Sequence, residues 1–421
     1  MTMTRICKHA ITAMALIGTA LPCGYVPTAS AATYVTSTTP AGVQCQTTWI
    51  NDNAQAVGNC TTANVSAYSN AWYSATLVGA QQILPRLVSG QPCTANAISN
   101  NGWILGHCAN AANLGFAVFW SAASPGNAPI ATIPLPGTLL FPPLRPADVQ
   151  TVPSALNQQG TVLAQSISAE LDETVVLYLA GNPTPRRVSN HGDNCKGVDV
   201  NNTPINGSPS VIMNCPDNNP ALRPTIATWT GSSYTRTHLP SPPGASYCWA
   251  TGMNDQLQAV GTCVFNNGTA GNEPKTAFWA TPTSAPLLLT MPLNAQNQGI
   301  AINNLGHILA YGHAPTGFMQ ALFWIDPTNS FSVQSIQPLA GSNQAVPVGI
   351  SDNDTVGLNC LNSSQLLTGC YWTPSTGTVA MSPLPTGLES SLNGISRAGG
   401  IISGYSTDGG NNLSAVGATL P

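Results

Sequence analysis

The stretch MNDQLQAVGTC, from Met253 to Cys263, decides how this chain is organised. It holds an apolar residue, an Asn/Asp-rich turn, two apolar residues close together and a Gly. The pattern recurs seven more times. It opens at Ile50 (INDNAQAVGNC), Ile98 (ISNNGWILGHC), Leu156 (LNQQGTVLAQS), Ile302 (INNLGHILAYG), Ile350 (ISDNDTVGLNC) and Ile395 (ISRAGGIISGY), with a degenerate copy at Val198 (VDVNNTPINGS). Successive copies start 42 to 58 residues apart. A repeat of that period marks an architecture in which each unit buries its apolar face against the next.

Each copy divides into four strand-like pieces. In the second, Ala95 to Ser99 makes a first strand and Asn100-Asn101-Gly102 a turn, since Asn and Gly tolerate the positive φ of a tight hairpin. Trp103 to Cys108 is the second strand, Ala117 to Trp120 the third and Ile130 to Leu135 the fourth, before Pro136-Gly137 breaks the chain. The third strand carries an aromatic in register. Trp72, Trp120, Tyr178, Trp324 and Trp372 each lie 22 residues after the opening residue. Trp279 lies 26 and Trp229 lies 31 residues after theirs, which implies insertions of four and nine residues. One aromatic per repeat reads as a core residue between stacked units rather than a row of ligand-binding rings. Leu84-Pro85, Pro292-Leu293, Pro338-Leu339 and Pro383-Leu384 close fourth strands, and proline, which donates no amide hydrogen bond, suits an outermost strand.

The chain ends set the closure. The eighth copy has a third strand around Ala415-Val416 and then stops at Pro421 without a fourth. Thr33 to Thr38, followed by Pro40-Ala41-Gly42, resembles a fourth strand with its exit. The N-terminal strand therefore completes the last sheet and closes a ring. Units of about 48 residues with four short strands describe an all-β fold, a β-propeller of about eight four-stranded blades. Seven blades follow if the copy at Val198 is an insertion. An open β-solenoid has shorter coils and tolerates such variable spacing poorly.

Cysteine spacing follows the repeat. Cys45 and Cys60 sit five before and ten after Ile50, and Cys93–Cys108 and Cys248–Cys263 flank Ile98 and Met253 identically. A pair placed so around one hairpin reads as a disulfide joining its arms. Cys195 and Cys215 bracket the degenerate copy. Cys360 fills the usual second slot, its usual partner position is Ala345, and Cys370 becomes its mate. Each bond closes a short loop and would contribute roughly 3 kcal/mol. A metal site is the rival reading, but no C-x2-C or His/Cys spacing supports it.

Composition bounds the partners. Only 6% of the 421 residues are charged, against roughly 25% in an ordinary globular protein, while hydrophobic content is 43%. Normal hydrophobicity argues against disorder. Nothing here neutralises a row of phosphates, so nucleic acid is excluded as a partner. Residues 1–31 read as a secretory signal, with Arg5 and Lys8 in a positive n-region, Ile11 to Leu21 as the apolar core and Ala29-Ser30-Ala31 as the cleavage site. Residues 32–421 then form one repeat domain. Cys23 suggests lipidation, but Pro22 directly before it fits a lipoprotein site badly. No later run is long and apolar enough to span a bilayer. The expectation is a protein secreted to the periplasm or the cell exterior after cleavage near Ala31, without membrane insertion.

Two later-copy patterns carry a resemblance. Gly252-Met253-Asn254-Asp255 through Gly261, Ala301-Ile302-Asn303-Asn304 through Gly312, and Gly349-Ile350-Ser351-Asp352 follow G-[IM]-N-[ND]-x-G-x-[VI]-x-G. Ala321-Leu322-Phe323-Trp324 follows A-[FL]-x-W, which Ala117-Val118-Phe119-Trp120 and Thr276-Ala277-Phe278-Trp279 approximate. Together they resemble the bacterial HAF-type extracellular repeats, over nearly the whole chain after the signal. The His that names those repeats is absent, with Phe116, Thr276 and Gln320 beside the Ala instead. The resemblance implies a secreted bacterial protein and carries over no catalytic residue and no cofactor.

No nucleophile elbow, H-E-x-x-H, P-loop or dinucleotide fingerprint is present, and no cofactor is implied. The Asn/Asp turns lack EF-hand spacing and read as hairpin turns rather than calcium loops. N-x-S/T sequences such as Asn64 and Asn412 follow from composition. One region concentrates charge: Glu170, Asp172, Glu173, Arg186, Arg187, Asp193, Lys196 and Asp199, with His191 among them. In a four-stranded meander the loop between strands two and three shares a face with the connection to the next blade, so Glu170 to Glu173 should neighbour Ser189 to Gly197. Glu170, Asp172, Glu173 and His191 are thus the candidates for acid–base work, against a bland reading as solvated loops held by surface ion pairs. Three functions follow: a binding or adhesion module for a glycan or protein at the cell surface, a polysaccharide hydrolase or lyase using those residues, or a structural envelope component.

Overall fold

The computed structural model describes residues 32–36, 43–62, 65–137, 145–216, 222–266, 272–290, 296–313, 319–410 and 412–421. The signal sequence, Pro40-Ala41-Gly42, Asn64 and Pro292-Leu293 lie outside them. The described strands form eight antiparallel sheets of four, each following the chain in simple order. In blade 2, for example, Cys93–Ile98, Trp103–Ala109, Gly115–Ser121 and Ile130–Ala131 pair in sequence. The last sheet is the exception: Ser390–Ile395, Ile401–Thr407 and Leu413–Thr419 are completed by Val35–Thr36, with Val35 opposite Gly417. The chain is a β-propeller of eight blades, closed by its N-terminal strand. Blades 1 to 8 are numbered here from Cys45.

The copy at Val198 is a full blade, which removes the seven-blade alternative. Its register differs from the expectation. Asn157 Nδ2 donates to Asn201 O at 2.9 Å, as Asn254 Nδ2 does to Asn303 O at 3.1 Å, so Val200, not Val198, is its opening residue. The turn that follows reaches Val211, which displaced the alignment.

The fourth strands are two to five residues long. That of blade 2 stops at Ala131, because the backbone N–H of Ile133 turns away to Pro183 O in blade 3. Short, proline-ended outer strands leave little unpaired edge for another chain to add to.

Aromatic side chains hold adjacent blades together. Trp72, Trp120, Tyr178, Trp279, Trp324 and Trp372 are all buried. Trp120 Nε1 donates to Pro85 O (2.9 Å), Trp279 Nε1 to Pro240 O (2.8 Å) and Tyr178 Oη to Ile133 O (2.8 Å), each in the preceding blade's outer connection. In blades 2 and 5 the proline and the aromatic are thus two halves of one contact, whereas Trp324 Nε1 donates within its own blade to Ser330 O (3.1 Å). The indole of Trp120 also lies on Gly106, where an added Cβ would come within 2.3 Å of Cζ3, which accounts for the Gly of the repeat. Two aromatics depart from the expected register. Trp229 is half-exposed under Arg186, and Ala227 takes the aromatic position opposite Val211. Trp72 pairs with Gly58, whereas Trp120 pairs with Ile104, a two-residue slip associated with bulges in the first blade's second hairpin.

All five disulfides form as the spacing predicts: Cys45–Cys60, Cys93–Cys108, Cys195–Cys215, Cys248–Cys263 and Cys360–Cys370. The first, second and fourth join residues directly opposite across the first two strands. Ala345 faces Cys360, so the last bond turns to Cys370 on the third strand. Each bond staples one blade internally and none links two blades.

Candidate functional sites at the axis and on the connection face

The first strand of each blade is innermost and packs beside its neighbours around the axis. At one end of these strands lie the Asn-rich turns. At the other lie the connections between blades and the loops joining second to third strands. The turn end and the connection end carry different chemistry.

In four blades the Asn after the opening residue works twice. Asn254 Oδ1 accepts from the backbone N–H groups of Gln256 (3.1 Å) and Gln258 (3.0 Å), while its Nδ2 donates to Asn303 O in the next blade. Asn51, Asn157 and Asn303 repeat the arrangement. This is an Asx-turn whose free amide reaches across the blade interface. The positive φ falls later, on Ala54, Gly102, Gly160, Leu257, Gly306, Asp354 and Gly399. The asparagines are therefore not there for backbone freedom, as the hairpin reading supposed.

The next turn position forms a collar around the axis. The backbone N–H of Asp52 donates to Asn100 Oδ1 (3.0 Å), that of Asn100 to Gln158 Oε1 (3.2 Å) and that of Gln158 to Asn202 Oδ1 (2.8 Å). Asn202 continues to Asp255 Oδ1 (2.6 Å), Asp255 to Asn304 Oδ1 (3.0 Å) and Asn304 to Asp352 Oδ1 (2.9 Å). The eighth position is Arg397, which has no acceptor, so Asp352 N donates to its backbone O (2.8 Å) and Ala398 N closes the circle on Asp52 Oδ1 (2.7 Å). The Arg397 guanidinium donates to Asp352 Oδ2 (2.9 Å) and, passing blades 6 and 7, to Asp255 Oδ2 (3.0 Å). Asn304 Nδ2 donates to the same two carboxylates. These bonds run from one member of the collar to another around the ring.

Asp199 lies one level deeper on the innermost strand of blade 4. Its carboxylate accepts from Val200 N (2.8 Å) and Met253 N (3.2 Å). Burial pushes its carboxyl up to about 6, against the two backbone hydrogen bonds and Arg397, which pull it down; Asp255 adds to the rise. Asp199 is half-buried on that strand. The sequence grouped Asp199 with the charged loops, but the structure places it at the axis.

On the connection face the two charged segments do meet. Glu173 N donates to Asn194 Oδ1 (2.8 Å), and its carboxylate pairs with Lys196. Asp193 pairs with Arg236. Glu170 is exposed, at a turn held by Ser168 Oγ, which accepts from Glu170 N (3.2 Å) and Asp172 N (3.1 Å). His191 makes its contact with a different carboxylate. Its Nε2 lies 3.3 Å from Oδ1 of Asp148, whose Oδ2 accepts from Ser166 Oγ at 2.6 Å. Burial raises the Asp148 carboxyl; Ser166 and Arg145 oppose the rise, and the charge of Asp172 adds to it. His191 Nδ1 is buried without a hydrogen-bond partner. Asp148 was absent from the sequence-based set because it stands outside the charged run, in the connection to blade 3. Among the described residues, no group of three His, Cys, Asp or Glu side chains is placed to hold a metal ion.

No protein-family model and no curated protein matches the chain. Solved structures match in fold. One, from a study of two prolyl endopeptidases, has a TM-score of 0.53 at 12% identity, over 91% of this chain and 56% of that one. The β-propeller domain of the trilobed protease from Pyrococcus furiosus, described as having an open velcro topology, has a TM-score of 0.50 at 9% identity, over 80% of this chain and 98% of that one. The BP39L lectin from Burkholderia pseudomallei has a TM-score of 0.42 at 14% identity, over 84% of this chain and 100% of that one. The first two likenesses agree with the class, a β-propeller, and show nothing finer.

Proposed function

We propose that this chain is an exported binding module that presents a disulfide-stapled propeller to a glycan or protein partner at the cell surface. One observation carries the reading: among the described residues, no hydrogen bond or ion pair joins the side chains of Glu170, Asp172, Glu173 and His191 to one another. Glu173 is held by Lys196, His191 is paired with Asp148, and Glu170 is exposed. Low charge suits contact through hydrogen bonds and apolar area. Five disulfides suit an oxidising compartment, and the leader-like residues 1–31 and the resemblance to HAF-type extracellular repeats support export.

The test is a glycan and cell-wall polymer array probed with the oxidised domain, alongside Glu170→Ala and Asp172→Ala/Glu173→Ala variants. Specific retention that survives both changes is expected. Absence of retention on glycans and on cell-surface proteins contradicts the reading.

A second reading, a polysaccharide hydrolase or lyase, is favoured by one feature. The buried Asp148 carboxylate accepts from His191 Nε2 when that nitrogen carries the proton, which leaves Nδ1 with a free lone pair, the arrangement of an oriented general base. Polymer cleavage lost in His191→Ala and Asp148→Asn would establish it.

A further inference from the structure

The innermost strands alternate regularly. In blade 1 Cys45 and Thr47 are buried while Gln46 is half-exposed, and in blade 5 Cys248 and Ala250 are buried while Tyr247 and Trp249 are half-exposed. Every blade then carries a β-bulge at one position, two residues before its opening apolar residue. The residue after the bulge is small in six blades: Ala97, Ala155, Gly252, Ala301, Gly349 and Gly394. In the other two it is Trp49 and Asp199.

Both larger side chains lie over a small residue of an adjacent blade. A Cβ added to Gly394 would stand 3.5 Å from Trp49 Cε3, and one added to Gly252 would stand 3.9 Å from Asp199 Oδ2. With small residues in the other six blades, an indole and a carboxylate are the two large groups at this level of the innermost strands. Trp49 remains 38% exposed. No ion pair to Asp199 forms among the described residues, where its partners are the two backbone N–H groups.

The two ends of the axis differ. At the turn end the collar bonds run from member to member and Arg397 crosses it as a chord between blades 8, 7 and 5. Toward the connection end stand Tyr247 and Trp249, stacked with centroids 5.8 Å apart and planes at 26°, with Gln46 and Gln298 at the level of Trp249 on their own strands.

We infer that the innermost strands enclose a ligand well on the ring axis, approached from the connection end and floored by the collar, that takes a sugar unit of a neutral glycan. The inference rests on the glycan-binding reading above and gives it a location. Indole and phenol faces suit the C–H faces of a pyranose. The glutamine amides and the Asp199 carboxylate suit its hydroxyls. Anionic ligands are disfavoured, because Arg397 already serves two carboxylates and Lys196 serves Glu173.

The test uses the full mature chain with intact disulfides. Chitotetraose, cellotetraose, maltotetraose and xylotetraose are titrated by calorimetry and by tryptophan fluorescence. One of them should bind, and Trp49→Ala and Trp249→Ala should each weaken it roughly tenfold or more. Trp49→Phe should keep most of the affinity, and Phe331→Ala, at an exposed outer loop, should change nothing. Thermal melts confirm that each variant is folded. Binding that is unchanged in folded Trp49→Ala and Trp249→Ala overturns the well and leaves the glycan reading standing. Binding of none of the four probes, together with a blank glycan array, overturns both.

Discussion

Arg397 and Asp255 meet at 3.0 Å although two blades separate them around the ring. Arg397 stands where seven other repeats supply a side-chain acceptor, and it answers for that difference by binding two of those acceptors directly. Arg397→Met should leave Asp255 and Asp352 facing each other without their cation. The expected loss is about 1–2 kcal/mol, since all three groups are partly solvated. Urea unfolding at low and high salt measures it, and the loss should shrink at high salt.

The Asx-turn asparagines separate two contributions. Asn254→Ala removes the turn contacts and the donor to Asn303 O, for a loss of roughly 2–4 kcal/mol. Asn254→Ser should lose less, because Ser351 and Ser99 keep the turn through Oγ, accepting from Thr355 N (3.0 Å) and Trp103 N (2.9 Å). The ordering wild type, Ser, Ala in denaturant midpoint is the check. Equal loss in both variants would mean the contact between blades carries the whole effect.

Asp199 gives stability a pH dependence. Its folded carboxyl is raised to about 6, above the ordinary value of roughly 4. The folded state therefore holds the proton more tightly than the unfolded chain. The contribution of Asp199 favours the fold at low pH and is lost as pH rises toward 6. Asp199→Asn should be more stable than wild type above pH 6, and the difference should vanish near pH 4. Melting temperatures across that range measure it.

Each disulfide should act on its own blade. Cys248→Ala/Cys263→Ala closes no loop, and a loop of 15 residues is worth about 3 kcal/mol. Because no bond links two blades, the double variant should still close its ring. Small-angle scattering should show an unchanged radius at a lowered melting temperature.

What could be foreseen follows from where the information sits. Cys45, Cys60, Ala345 and Cys360 keep fixed offsets from their opening residues, so the bonds and even the exception at Cys370 were visible as spacing. The exchange of Val35–Thr36 into the last blade was visible because the eighth copy lacks a fourth strand. The collar was not read, although its signal was present. Asp52, Asn100, Gln158, Asn202, Asp255, Asn304, Asp352 and Arg397 align at one offset, but polar turn residues look alike until the ring brings them together. Spacing alone places Val200 third in its copy, because a long turn hides the register. Asp148 had no pattern to announce it, since only folding carries it to His191.

The most direct test of the binding-module account is to incubate the oxidised domain with a panel of cell-wall polysaccharides and to measure retention and reducing-end release in the same samples. The account predicts retention on a particular glycan with no release above the buffer control. Release of reducing ends that disappears in His191→Ala would contradict it and make the protein an enzyme.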